Sequence, residues 1–106
     1  MDAKTRAKFE ALGLILKAMA HGSRLFIMEQ LSLQERCVCE LKDMVGADIS
    51  TVSKHLAVLK AAGLVQSEKR GNQVYYKLRC PCIREFLNCV ETVVKDNARE
   101  RLELIK

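Results

Sequence analysis

Two short apolar-periodic segments meet at a tight connection around Gly46 to Ile49, and two alternating segments follow, Leu64 to Lys69 and Gln73 to Leu78. Such a succession asks for a helix pair at helix-turn-helix spacing and then a hairpin. The first helix of the pair is predicted over about Cys39 to Val45, closing at Gly46, a residue suited to the left-handed conformation that ends helices. The second carries Val52, Leu56, Val58 and Leu59, with Asp48 and Ser50 as rival N-caps and Gly63 at its end. Leu56 and Leu59 are expected to face inward. Arg70-Gly71-Asn72 joins the alternating segments, and Gly71 and Asn72 both tolerate positive φ, which predicts a β-hairpin.

The flanking segments are helical in pattern. From Lys4 to Ala20, residues Phe9, Leu12, Ile15, Leu16 and Met19 recur at three- and four-residue steps. After the break at His21-Gly22-Ser23, residues Leu25, Ile27, Met28 and Leu31 predict a second helix with Ser23 as its N-cap, ended by the polar loop Ser32 to Arg36. The last segment begins at Pro81, favoured at a helix's first position, and runs through Ile83, Phe86, Leu87, Val90, Val93 and Val94. The predicted fold class is mainly α (α+β): a winged helix-turn-helix of about five helices with one two-stranded β-hairpin wing. Helices one and five exceed what a winged core needs. Their wide apolar faces predict a homodimer through the terminal helices, the alternative being that both cover the monomer core.

Composition agrees with this outline. The 106 residues suit one domain, 1–106, able to bury roughly 65% of its unfolded surface. Aromatic residues are only 5%, with five Gly and one Pro, which disfavours a sandwich or barrel. A net charge of +5 points to a polyanionic partner or to an ordinary basic surface. No segment approaches the roughly 20 apolar residues of a membrane span, and no secretory succession opens the chain, so a cytoplasmic location is expected. There the five cysteines, Cys37, Cys39, Cys80, Cys82 and Cys89, stay thiols unless they bind metal or act in redox chemistry. The two histidines and scattered carboxylates lack catalytic spacing, and the Cys-x-x-Cys of a thiol oxidoreductase is missing. The chain reads as a regulator and not an enzyme.

A helix entering the major groove of double-stranded DNA needs small or hydrogen-bonding residues near its N-terminus and cations at its flanks. Ser50, Thr51, Ser53, Lys54 and His55 meet that need, with capping as the other use of Ser50 and Thr51 and a core-edge hydrogen bond as that of His55. At the wing tip, Lys69, Arg70, Asn72 and Gln73 can straddle a phosphate or reach a minor groove, or form a solvated turn. A dimer neutralising roughly six phosphates would bind with an affinity falling at about the fifth power of salt concentration.

These residues have a familiar arrangement. The run Ala18-Met-Ala-His-Gly-Ser-Arg-Leu, the Cys37-Val-Cys-Glu-Leu block, Ser50-Thr-Val-Ser-Lys-His-Leu with Leu59 and Ala62-Gly-Leu-Val, and the wing ending Val74-Tyr-Tyr-Lys-Leu together resemble the ArsR/SmtB family of metal-responsive repressors. The resemblance spans nearly the whole chain. It implies a homodimer that binds an inverted-repeat operator and releases it when a metal or metalloid binds. Arsenic- and cadmium-responsive members carry Cys-Val-Cys-Asp/Glu-Leu at the start of helix three, matched by Cys37, Cys39, Glu40 and Leu41. Arsenic sensors often add a cysteine three residues later, where this chain has Lys42. The zinc-sensing Asp-x-His of the last helix is absent.

Trivalent arsenic or antimony prefers three thiolates, and soft Cd(II) or Pb(II) likewise favours sulfur. Arsenite or antimonite is therefore the expected inducer, with cadmium and lead next. Cys37 and Cys39 supply two sulfurs on nearly opposite sides of a regular helix, so one ion clasps both only if the helix start unwinds and helix four moves with it. Cys80, Cys82 and Cys89 supply three, but Cys82 and Cys89 stand about 10 Å apart along a straight helix. That trio is favoured as the arsenite site because it meets the three-ligand demand, and clustered C-terminal cysteines serve some arsenic-responsive members. A thiol-redox or persulfide-responsive repressor is the alternative function.

Overall fold

The computed structural model describes residues 1–106 as five helices and a three-stranded antiparallel sheet. Helix α1, Ala3–Met19, starts at Asp2, whose carboxylate accepts the Thr5 backbone N–H at 2.7 Å. Helix α2, Gly22–Leu33, lies at 90° to it. His21, not Ser23, caps α2: its Nδ1 accepts the Ser23 backbone N–H at 3.1 Å. The cap therefore sits earlier than the usual preference for serine predicts.

Strand β1, Arg36–Cys37, feeds directly into helix α3, Val38–Val45. Gly46 closes α3 at φ 76°, a left-handed conformation, and returns its N–H to the Lys42 carbonyl at 3.0 Å. Helix α4, Ile49–Ala61, begins at Asp48, which accepts the Thr51 N–H at 2.7 Å and the Ser50 hydroxyl at 2.9 Å. Asp48 is thus the cap and Ser50 its brace. Strands β2, Val65–Arg70, and β3, Gln73–Leu78, pair from Val65↔Leu78 to Arg70↔Gln73. Gly71 takes the positive φ of the turn, 62°, and Asn72 does not share it. Helix α5 spans Ile83–Leu104.

Two further features differ from the pattern expected of the sequence. The sheet has three strands in the order β1-β3-β2, because Arg36 and Cys37 pair with Tyr76 and Tyr75 along the free side of the hairpin. A two-residue strand is too short to leave an alternating signature. Secondly, Cys80-Pro81-Cys82 is a turn and not the first turn of α5: Ile83 donates its N–H to the Cys80 carbonyl at 3.2 Å, and Cys82 occupies the N-cap.

The core gathers Ile27, Met28 and Leu31 of α2, Leu41 of α3, Val52, Leu56 and Leu59 of α4, and Leu64 and Val65 at the wing base. Leu56 and Leu59 are completely buried, as their spacing predicts. Of its buried members, Met19 and Ile83 come from the two terminal helices, with Ile15, Ala18 and Leu87 packed beside them, while Phe9, Leu12, Leu16, Phe86, Val90, Val93 and Val94 are exposed. No single helix is long and apolar enough to cross a membrane.

Candidate functional site

The first turns of α4 present Ser50, Thr51, Ser53 and Lys54 to solvent, while Val52 and Leu56 point into the core. The Asp48 cap fixes this turn, and the Thr51 backbone N–H holds the Asp48 carboxyl below its ordinary pKa. His55 differs from its neighbours. It is half-buried, with its ring 4.5 Å from that of His21 at the start of α2. Lys60 ties the far end of α4 to the wing, donating to the Ser67 hydroxyl at 2.7 Å.

On the wing, Lys69, Asn72 and Gln73 are exposed at the tip. Arg70 is exposed as well, but its Nη2 is held by Glu35 at 2.8 Å and Glu68 at 3.0 Å. The guanidinium stacks 4.7 Å from the centre of the Tyr75 ring. Donating to the Glu68 and Glu35 carboxylates raises its already high pKa further.

The cysteines fall into separate places. Cys37 is the buried N-cap of α3, and Cys39 in the first turn is exposed, so the two thiols have different surroundings. Glu40 closes the turn by accepting the Cys37 backbone N–H at 3.1 Å, a contact that lowers its carboxyl pKa. Near the C-terminal helix, the Cys80 and Cys82 sulfurs are 3.4 Å apart. The Cys80 thiol is pushed up in pKa by its contact with Cys82 and then by burial. Cys89, in α5, is exposed instead of filling a core position. No three His, Cys, Asp or Glu side chains converge on one point, so a three-thiolate metalloid site is not assembled within one chain.

Residues 21–67 match the family described as bacterial regulatory protein, arsR family. The crystal structure of Mycobacterium tuberculosis Rv0081 is 31% identical, with a TM-score of 0.74 over 96% of this chain and 99% of that one. The chain belongs to the arsR family. It is also 42% identical over 73 residues to the HTH-type transcriptional repressor SmtB of M. tuberculosis, a match covering 69% of this chain. That match spans about half of the relative's length, 54%. A solution structure of the homodimeric winged helix-turn-helix DNA-binding domain of Mb0332 from Mycobacterium bovis, a possible ArsR-family regulator, is similar at a TM-score of 0.76 and 27% identity. It covers 91% of this chain and 89% of that one.

Two contacts of this arsR-family chain escaped sequence reasoning. Glu35 and Arg70 are far apart in the chain, and nothing local marks them as partners. The His21–His55 contact joins the α2 cap to α4, and only the shared residue type hinted at it. Burial, then the charges of His21 and Arg24, lower the His55 pKa below 6.5. Because the folded state disfavours the charged imidazole, stability is fully present above pH 6.5 and falls as pH drops toward the folded pKa, then levels. Thermal melting across this window should show that loss in wild type and a flatter profile in His55→Asn. Equal slopes would mean that His55 titrates as it does unfolded.

Proposed function

We propose that this chain is a homodimeric transcriptional repressor of double-stranded operator DNA that leaves its inverted-repeat site when a thiophilic metal or metalloid engages its cysteines. The observation that carries the DNA reading is the exposed first turn of α4, set by the Asp48 cap and followed by a cationic wing. Ser50, Thr51, Ser53 and Lys54 are the proposed groove and phosphate contacts, with Lys69, Asn72 and Gln73 on the flank. His55 contributes through its contact with His21, by holding α4 against the start of α2. The unpartnered apolar faces of α1 and α5 favour the dimer, and the Mb0332 homodimer supports it by likeness. A cytoplasmic location goes with this reading, because operator DNA is its proposed partner.

The signal is proposed from donor chemistry. Two sulfurs in contact at Cys80 and Cys82 suit a soft acceptor such as arsenite, antimonite, Cd(II) or Pb(II). A third thiolate has to come from Cys89 after rearrangement or from a second copy. Cys37 and Cys39 form a second candidate pair at the start of α3, which packs on α4. The same 3.4 Å contact favours one further reading, reversible oxidation of Cys80 and Cys82 to a disulfide.

Fluorescence anisotropy of promoter-region DNA, in reductant, separates these readings. Arsenite is expected to release DNA from wild type and from a Cys37/Cys39 double serine variant, and to leave a Cys80/Cys82/Cys89 triple serine variant bound. The reverse pattern moves the sensor to α3. Wild type that stays bound under arsenite rejects trivalent arsenic as the signal and favours oxidants or cadmium.

A further inference from the structure

We propose that Glu35 and Glu68 form an electrostatic latch that withholds Arg70 from nucleic-acid phosphate until the duplex displaces them. The proposal rests on the DNA-binding reading above.

Glu68 and Arg70 lie two residues apart on β2, so their side chains share one face of the sheet. From there Arg70 reaches across Tyr75 of β3 to Glu35, just before β1, thereby spanning all three strands. Its guanidinium carries one positive charge and faces two carboxylates, so the wing tip offers less net attraction to a polyanion than its cation count suggests. The partners remain accessible, with side-chain exposures of 42%, 38% and 68% for Arg70, Glu35 and Glu68. Ion pairs this exposed are weak enough to exchange, and a phosphate matches the same guanidinium fork.

The location of Glu35 adds a connection. It immediately precedes Arg36 and Cys37, which pair with Tyr76 and Tyr75, and Cys37 caps α3. The latch therefore fastens the wing tip to the segment that leads into the first thiol pair. Glu35 and Glu68 are positioning residues, acting on DNA through Arg70 alone.

A double-mutant cycle tests this, with anisotropy on a promoter-region duplex and a scrambled duplex across a salt series. E35Q should tighten binding about two- to fivefold, the range expected for losing one exposed ion pair, and E35Q/E68Q more. The gain should vanish when the same substitutions are made in R70A. If E35Q binds like wild type, or if its gain persists in R70A, the latch is wrong and any gain reflects general charge removal. Wild type that binds neither duplex would overturn the DNA reading, and the latch with it.

Discussion

Leu56→Ala is expected to lower the unfolding free energy by about 2–5 kcal/mol, the range for truncating a fully buried leucine. Leu56 lies midway along α4, in the cluster with Ile27, Met28 and Leu41, so the cavity would open where three helices meet. The core is small, and little surrounding mass is available to collapse into the gap. Leu104→Ala makes a suitable comparison, since Leu104 is 84% exposed and its loss should change stability by less than about 0.5 kcal/mol. Chemical denaturation of the two variants checks the contrast. A Leu56→Ala loss below about 1 kcal/mol would place the core elsewhere.

Val90→Glu should have the second large effect, on association instead of folding. Val90 lines an apolar groove with Leu16, Met19, Leu25, Phe86 and Leu87, where α1, α2 and α5 come together. In the single chain it is 44% exposed, so a carboxylate there stays solvated and the monomer should remain folded. Across the proposed dimer face the same charge would be buried without a partner, at a cost of roughly 3 kcal/mol or more, which is over a hundredfold in dissociation constant. Light scattering after gel filtration should report a monomer with native circular dichroism. A Val90→Glu protein that stays dimeric would remove this groove from the interface.

Much of the architecture was legible because its signals are local. The three- and four-residue apolar steps marked α2 and α4, and glycine at positions 46 and 71 marked the turns that need positive φ. Two elements were not legible for opposite reasons. Strand β1 is too short to show a period. Pro81 carries a preference for helix starts that the chain does not use, because the Ile83 N–H and the Cys80 carbonyl close a turn around it.

The candidate site divides along the same line. The exposed set on α4 follows from helical periodicity once Val52 and Leu56 are assigned to the core. The partners of Arg70 depend on how three strands align, which no local window contains. The cysteines show the limit of spacing arguments most plainly. Cys80 and Cys82 meet because the backbone turns between them, and Cys89 stays apart because the helix that carries it begins only at Ile83.

Helices α1 and α5 bracket the other elements, at residues 3–19 and 83–104, with the helix-turn-helix and the wing between them. During synthesis the apolar face of α1 leaves the ribosome first, and the helix proposed to share its interface is made only after the wing is complete. Most of the buried core, from Ile27 to Val65, is made before α5, and Ile83 follows the wing. Pairing between two copies through the proposed face would thereby wait until translation has passed the second cysteine cluster, and a chain stalled before residue 83 would expose α1 with no α5 to complete that seam.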